Sequence, residues 1–140
     1  MKDMNRRSTL ALALAAAAAT PLLTLARPAM AHKYGPKDGK ELYPGVRLVE
    51  LGTFNSDIPA YKNIFMVDIV FQPGAVAPET VMTNDMVCQI TAGEFKIKKA
   101  DKEFTLKAGE MYTCAKGKTE MATNISKVVG IHRIGILLPA

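Results

Sequence analysis

Apolar residues in this sequence come in short runs, separated by segments rich in glycine, proline and polar residues. The strongest run, at residues 64–71, is interrupted only by Asp68, which is the composition of a buried strand. Around residues 99–102, two short arms alternate apolar and polar positions, as in a β-hairpin with a polar tip. The pattern predicts strands at residues 46–51, 64–71, 80–82, 86–92, 94–98, 103–106, 111–114, 120–123 and 128–138.

Strands of this length, with turn signals between them, are typical of a small all-β sandwich or closed barrel. Residues 52–63 contain glycine, asparagine, serine, aspartate and proline and are predicted to be a loop. Residues 32–45 are polar and are predicted to form an irregular N-terminal arm. The barrel itself is expected over residues 46–140.

Residues 1–31 have the pattern of a secretory signal peptide. Arg6 and Arg7 precede an apolar run at residues 10–25, and residues 29–31 form a small-x-small cleavage site. The arginine pair resembles a twin-arginine export signal, with a Sec signal as the alternative. We therefore expect a periplasmic protein with no stable membrane span after cleavage.

Removal of that segment changes the charge of the protein. The full chain has a formal net charge of +5, but the mature part keeps 14 basic and 12 acidic residues, a net charge of +2. This balance argues against nucleic acid as a partner. A domain of this size buries only a modest core, so a homodimer would help to stabilise it.

Two glycine-marked segments resemble the motifs of the cupin family. The first cupin motif is usually written G-x5-H-x-H-x(3,4)-E-x6-G, and Gly74 and Gly93 stand at its two ends. The second is usually written G-x5-P-x-G-x2-H-x3-N, and Gly109, Gly117 and Asn124 keep its frame. The resemblance implies an all-β, RmlC-like jelly-roll barrel, the double-stranded β-helix of cupins.

The metal-ligand positions of these motifs are replaced. Thr80 and Met82 stand at the two histidines of the first motif, Met86 at its glutamate, and Glu120 at the histidine of the second motif. The second-motif proline is Ala115. Because iron, manganese and zinc prefer imidazole and carboxylate ligands, the usual metal site with three histidines and one glutamate is not expected, and neither is a resident cofactor.

The cupin resemblance places the side chains at these four positions inside the barrel. The favoured function is therefore binding of a small-molecule ligand in the barrel, with Thr80, Met82, Met86, Tyr112 and Glu120 as candidate ligand-binding residues. A metal-independent enzyme that uses Glu120 as a general acid or base is one alternative. Burial would raise the pKa of Glu120, which suits such a role.

Sulfur-containing side chains suggest a second alternative. In strand alternation Cys88 shares a face with Met86, and Met82, Met86, Cys88 and Cys114 supply the soft ligands that select Cu(I). Ordinary core packing of methionine explains the same residues. Cys88 and Cys114 can instead form a disulfide, which is common in small exported domains, or remain as two free buried thiols.

The two histidines after the predicted cleavage site offer a third metal hypothesis. Cleavage after residue 31 would make His32 the N-terminal residue. Such a residue can bind Cu(II) through its amine and imidazole if a second histidine lies nearby. His132 is the only candidate for that second ligand.

Overall fold

The computed structural model describes residues 33–140. The predicted signal peptide and His32 lie outside the described residues. Ten strands make up the described part of the chain, in the order β1 (Lys40–Tyr43), β2 (Val46–Asn55), β3 (Tyr61–Phe71), β4 (Val76–Val81), β5 (Asp85–Ala92), β6 (Glu94–Lys99), β7 (Lys102–Lys107), β8 (Met111–Cys114), β9 (Thr119–Asn124) and β10 (Gly130–Pro139).

The strands form two antiparallel sheets. The larger has six strands in the order β1-β2-β3-β10-β5-β8, and the smaller has four in the order β4-β9-β6-β7. The C-terminal strand β10 lies in the middle of the larger sheet, paired with β3 on one side and β5 on the other. The prediction of an all-β fold with two facing sheets is confirmed.

Side chains that alternate inward from the two sheets form the core. Phe71 at the end of β3 meets Phe95 of β6 with their ring centroids 4.9 Å apart and the rings almost perpendicular. Edge-to-face pairs of this kind contribute about 0.5–1.5 kcal/mol beyond the area that they bury. Val67 and Ile69 alternate with Phe71 on the same face of β3 and belong to the same cluster.

Asp68, the polar interruption of the strongest predicted strand, has its partner on the adjacent strand. Arg133 lies directly opposite it on β10, and its Nε and Nη2 donate to the two Asp68 carboxylate oxygens at 2.8 and 2.9 Å. The hydroxyl of Tyr34 donates to Asp68 Oδ2 at 2.5 Å. This fully buried carboxylate therefore ties the N-terminal segment to the larger sheet.

Several local predictions differ from the structure. Strand β3 begins at Tyr61, inside the predicted loop, and β4 runs over Val76–Val81 instead of residues 80–82. Part of the segment predicted to be an irregular arm forms strand β1, which pairs with β2. Strand β2 also continues into the predicted loop at residues 52–63, because Gly52 adopts a φ of 139° at an irregularity in the pairing with β3. Few residues other than glycine accept this backbone conformation, so the glycine permits a bulge rather than ending the strand.

Asn124, at the end of β9, ties together three parts of the backbone. Its Nδ2 donates to the carbonyls of Phe71, Gln72 and Val128 at 3.2, 3.3 and 2.8 Å. Its Oδ1 accepts hydrogen bonds from the amide and the hydroxyl of Ser126. The residue is fully buried. Water would therefore not readily replace these hydrogen bonds if the amide were removed.

We predict that Asn124→Ala destabilises the protein by about 3 kcal/mol, because buried carbonyls lose their donor. Urea unfolding of residues 33–140 measures the difference. Asn55→Ala, at the exposed end of β2, is the matched control and should change the free energy of unfolding by less than about 0.5 kcal/mol. Equal effects of the two substitutions would contradict the anchoring role.

Candidate functional site

A cavity of about 170 Å³ lies between the two sheets. Met82, Met86 and Glu120, which the cupin resemblance placed inside the barrel, line this cavity. Thr80 also lines it but is exposed rather than inside the barrel, and Tyr112 is not among the lining residues. Thr80 lies opposite Glu120 in the β4–β9 pairing and is exposed, with its hydroxyl donating to the carbonyl of Pro78 at 3.0 Å. The other lining residues are mainly apolar: Leu42, Tyr43, Val46, Ile69, Phe71, Ala77, Pro78, Ala122, His132 and Ile134.

Glu120 is the acidic residue of this cavity. Its side chain is on the inward face of β9, and the residue is only 6% exposed. The hydroxyl of Tyr112 donates to Glu120 Oε1 at 2.7 Å. Glu120 Oε2 is buried and has no hydrogen-bond partner among the described residues. Buried carboxylate oxygens without a hydrogen-bond partner are rare in folded proteins, and this marks Glu120 as the polar residue of interest in the cavity.

Tyr112 also contacts His132, which sequence reasoning did not place in the barrel. The Tyr112 hydroxyl is 3.0 Å from His132 Nε2, and the two rings are stacked with centroids 5.7 Å apart. His132 lies between Ile69 of β3 and Ile90 of β5 in the sheet register. Both isoleucines face the core. Because side chains alternate across a strand, the position of this histidine along β10 could have indicated that it faces the core as well.

Burial determines the protonation of this group. It raises the pKa of Glu120, and hydrogen bonds from the Tyr112 hydroxyl and the Cys114 thiol, together with the charge of Lys99, lower it again only in part. Burial lowers the pKa of His132 to about 4, so the imidazole is neutral at pH 7. Burial likewise raises the pKa of Tyr112, so its phenol keeps its proton.

Lys99 is the cation that affects Glu120. It lies opposite Glu120 in the β6–β9 pairing. Its ammonium donates to the carbonyl of Thr113 on β8 and stands over the ring of Tyr112, 5.1 Å from the centroid. The side chain therefore bridges the smaller and the larger sheet, and its hydrogen bond is to the backbone rather than to the Glu120 carboxylate.

The predicted sulfur ligands also lie together. Met86, Cys88 and Cys114 form one buried cluster, and Met82 packs against it. Cys114 lies opposite Met86 in the β5–β8 pairing, and Cys88 lies opposite Tyr112. One wall of the barrel thus holds two thioethers and two thiols.

Of the two alternatives for Cys88 and Cys114, a disulfide or two free buried thiols, the structure has the free thiols. The strand register gives the reason. Each cysteine faces a different residue across the strand pair, so the two are diagonal neighbours. Diagonal neighbours are about 7–8 Å apart in such a pair, farther than a disulfide normally spans.

The residues at the cupin ligand positions do not fit the usual metal site. One carboxylate, one hydroxyl and two thioethers replace three imidazoles and one carboxylate, and these are poor ligands for iron, manganese or zinc. Among residues 33–140, no three histidine, cysteine, aspartate or glutamate side chains are arranged to hold a metal ion. The Cu(II) hypothesis for His32 lies outside the described residues, and in the described part Nε2 of its proposed partner His132 contacts Tyr112.

We predict that both thiols react slowly with iodoacetamide in the folded protein. Burial raises the pKa of Cys88 to about 12 and that of Cys114 to about 11, so very little thiolate forms at pH 8. Alkylation followed by mass spectrometry should be at least about a hundredfold slower in buffer than in urea, where thiols regain a pKa near 8.5. Rapid alkylation of the native protein, or no reaction in urea without reductant, would contradict this arrangement.

Comparisons with known proteins establish the fold. No protein-family model and no curated protein matches the chain. Among solved structures, an RmlC-like cupin from Shewanella frigidimarina is 21% identical over 76% of this chain and 88% of its own, with a TM-score of 0.58. KdgF from Halomonas sp. is 15% identical over 71% of this chain and 87% of its own, with a TM-score of 0.57.

A third solved structure extends the comparison to an isolated cupin domain. The Cupin_2 domain of an XRE-family transcriptional regulator from Enterobacter cloacae is 17% identical over 69% of this chain and 99% of its own, with a TM-score of 0.57. Within residues 33–140 there is no helix long and apolar enough to cross a bilayer.

The matches to solved structures show that the described part of the chain is a small domain with the cupin fold, as the glycine and asparagine frame predicted.

Proposed function

We propose that this protein is exported to the periplasm and binds a small organic molecule in its barrel without the usual cupin metal. The observation that carries the proposal is a largely apolar cavity between the sheets with a single acidic residue, Glu120, in its lining. Apolar walls with a few placed polar groups are typical of small-molecule sites.

The size of the cavity limits the size of the ligand. Its volume is about 170 Å³, and an engineered apolar cavity of about 150 Å³ in another protein binds benzene. We therefore expect a ligand built around a single ring or a short branched chain.

The polar groups of the cavity fix the orientation of the ligand. Glu120 offers a hydrogen-bond acceptor, and Thr80 lies opposite it at the exposed edge of β4. The ligand therefore places a donor against Glu120 and its apolar body against the methionines and Ala122.

The enzyme alternative, with Glu120 as general acid or base, stays a prediction. The homodimer stays a prediction as well.

We predict that Ala122→Leu weakens binding of toluene, used as an apolar probe of the cavity, by at least about tenfold, because the larger side chain occupies the ligand volume. Binding is followed by NMR chemical-shift titration. Val87→Leu is the matched control, because it enlarges an exposed residue on the outward face of β5. Unchanged toluene binding by Ala122→Leu, with the fold intact, would place the ligand site elsewhere.

A second candidate function is Cu(I) binding. The observation that favours it is the packing of Met82, Met86, Cys88 and Cys114 against one another. Thioether and thiolate ligands select Cu(I) over harder metals, and binding would release the protons of the two thiols. Export to the periplasm would suit copper storage or delivery.

If the copper hypothesis is correct, the reduced protein binds one Cu(I) per chain in competition with a chromophoric chelator. Cys88→Ser should weaken that binding by at least about tenfold, because a hydroxyl is a poor ligand for Cu(I). Met121→Leu is the matched control, since Met121 alternates with the inward-facing Glu120 and Ala122 on β9. No copper uptake by the reduced protein would eliminate this candidate.

A further inference from the structure

A second pocket, of about 370 Å³, lies between the tip of the β6–β7 hairpin and the turn that follows β8. It shares no lining residue with the barrel cavity. Its charged lining residues are Lys99, Lys102, Lys118 and Asp101, which give the lining a net charge of +2. The whole chain after the predicted cleavage site has the same net charge of +2. The positive charge of the domain is therefore concentrated at this pocket.

Two of the three lysines face each other across the hairpin. Lys99 and Lys102 lie directly opposite each other in the β6–β7 pairing. Side chains at such positions project from the same face of the sheet, with their Cβ atoms about 4.5–5.5 Å apart. Like charges at directly opposed positions are destabilising. The pair therefore costs stability unless an anion lies between the two ammonium groups.

The acidic residues nearby do not neutralise these lysines. Among the residues that the structure describes, none of the three lysines forms an ion pair with a carboxylate, and Asp101 forms no ion pair either. Glu120 lies opposite Lys99 in the β6–β9 pairing, but its buried carboxylate accepts a hydrogen bond from Tyr112 instead. The pocket therefore presents positive charge that no group of the protein pairs with.

The two walls of the pocket are held in place by hydrogen bonds. On the hairpin side, the Lys99 ammonium donates to the carbonyl of Thr113, which leaves two of its three donor hydrogens for another acceptor. On the opposite side, the turn that carries Lys118 is fixed to Met82: the Met82 amide donates to the Lys118 carbonyl at 2.8 Å, and the Gly117 amide donates to the Met82 carbonyl at 2.8 Å. Such preorganisation lowers the entropic cost of binding.

The charge and the size of the pocket indicate which anion it would take. A phosphate monoester carries close to two negative charges at pH 7 and has three strong acceptor oxygens, whereas a carboxylate has one charge and two oxygens. Lysine is a common phosphate ligand and acts as a point charge. Because a cavity of about 150 Å³ in another protein holds benzene, a pocket of about 370 Å³ has room for the phosphate group and a small organic part.

We propose that this pocket binds a small phosphate monoester, with its phosphate group among the ammonium groups of Lys99, Lys102 and Lys118. The site is separate from the barrel cavity, so the proposal does not depend on the ligand-binding function proposed for the barrel.

The test uses methyl phosphate and acetate, two small anions that differ in charge and in number of oxygens. Each is titrated into residues 33–140 at pH 7.5 and followed by amide NMR shifts. The ionic strength is kept constant, because salt screens exposed charges. We expect methyl phosphate to bind at least about tenfold more tightly than acetate and to shift the amides of residues 99–102 and 113–118.

Two variants test the lysines themselves. Lys102→Gln and Lys118→Gln should each weaken binding of methyl phosphate at least about fivefold, because each removes one charged donor from the pocket. Lys62→Gln is the matched control, since it removes the same charge from an exposed position on β3 outside the pocket. Lys99 is kept, because its side chain joins the two sheets.

Thermal melting gives a readout that is independent of the NMR shifts. Lys102 and Lys118 are both exposed, so their variants should fold, and methyl phosphate should raise the melting temperature of wild type and Lys62→Gln more than that of either variant. Equal affinity for methyl phosphate and acetate would overturn the proposal. An equal loss of affinity in Lys62→Gln and Lys102→Gln would also overturn it, because it would show general attraction to a basic protein. Neither outcome would affect the barrel cavity, which the toluene titration tests.

Discussion

The burial of one carboxylate inside an apolar barrel is the constraint on which the candidate site depends. Glu120 is held between the two sheets because β9 alternates inward at this residue and at Ala122. The residue is only 6% exposed there, so protein groups must stabilise most of the carboxylate. Tyr112 supplies one hydrogen bond, and Lys99 supplies a more distant positive charge. The remaining oxygen has no hydrogen-bond partner among the described residues.

The residues that make the cupin fold are separate from those that make its usual metal site. Asn124 joins three backbone segments through its amide. Gly93 allows the chain to pass close to the start of β10, where a Cβ would come within 2.9 Å of Gly130 Cα. Neither residue stands at one of the four ligand positions. The frame can therefore be kept while the ligand positions change from imidazole to hydroxyl, thioether and carboxylate, and the chemistry of the cavity changes without a change of fold.

The strand pattern of the sequence predicted most of the fold. Alternation and turn composition depend on local sequence. The start of β2, the core of β3 and the hairpin of β6 and β7 could therefore all be predicted from the sequence. Strand β1 was not, because the polar segment KELY contains no apolar alternation and gains its strand conformation by pairing with β2. The continuation of β2 through Gly52 depends on the same kind of pairing.

The site was predictable only where the cupin frame gave a register. That register placed Thr80, Met82, Met86 and Glu120 on one cavity. It did not reach His132, which lies on β10 outside both motifs and faces the barrel because of its pairing with β3 and β5. The separation of Cys88 and Cys114 likewise depends on the β5–β8 register, which spacing along the chain does not determine. The pairing of strands that are distant in sequence thus determines both the hydrogen bonds among Glu120, Tyr112 and His132 and the separation of the two thiols.

The most direct test of the central claim is an NMR titration of the Glu120 side-chain carboxyl carbon in the ligand-free protein. An exposed glutamate titrates near a pKa of about 4.3. A carboxyl buried in an apolar cavity with one unpartnered oxygen should titrate at a clearly higher pH, as burial raises the pKa of Glu120. A midpoint at or below the ordinary value would show that Glu120 is solvated or paired with a cation, and would contradict the site described for this barrel.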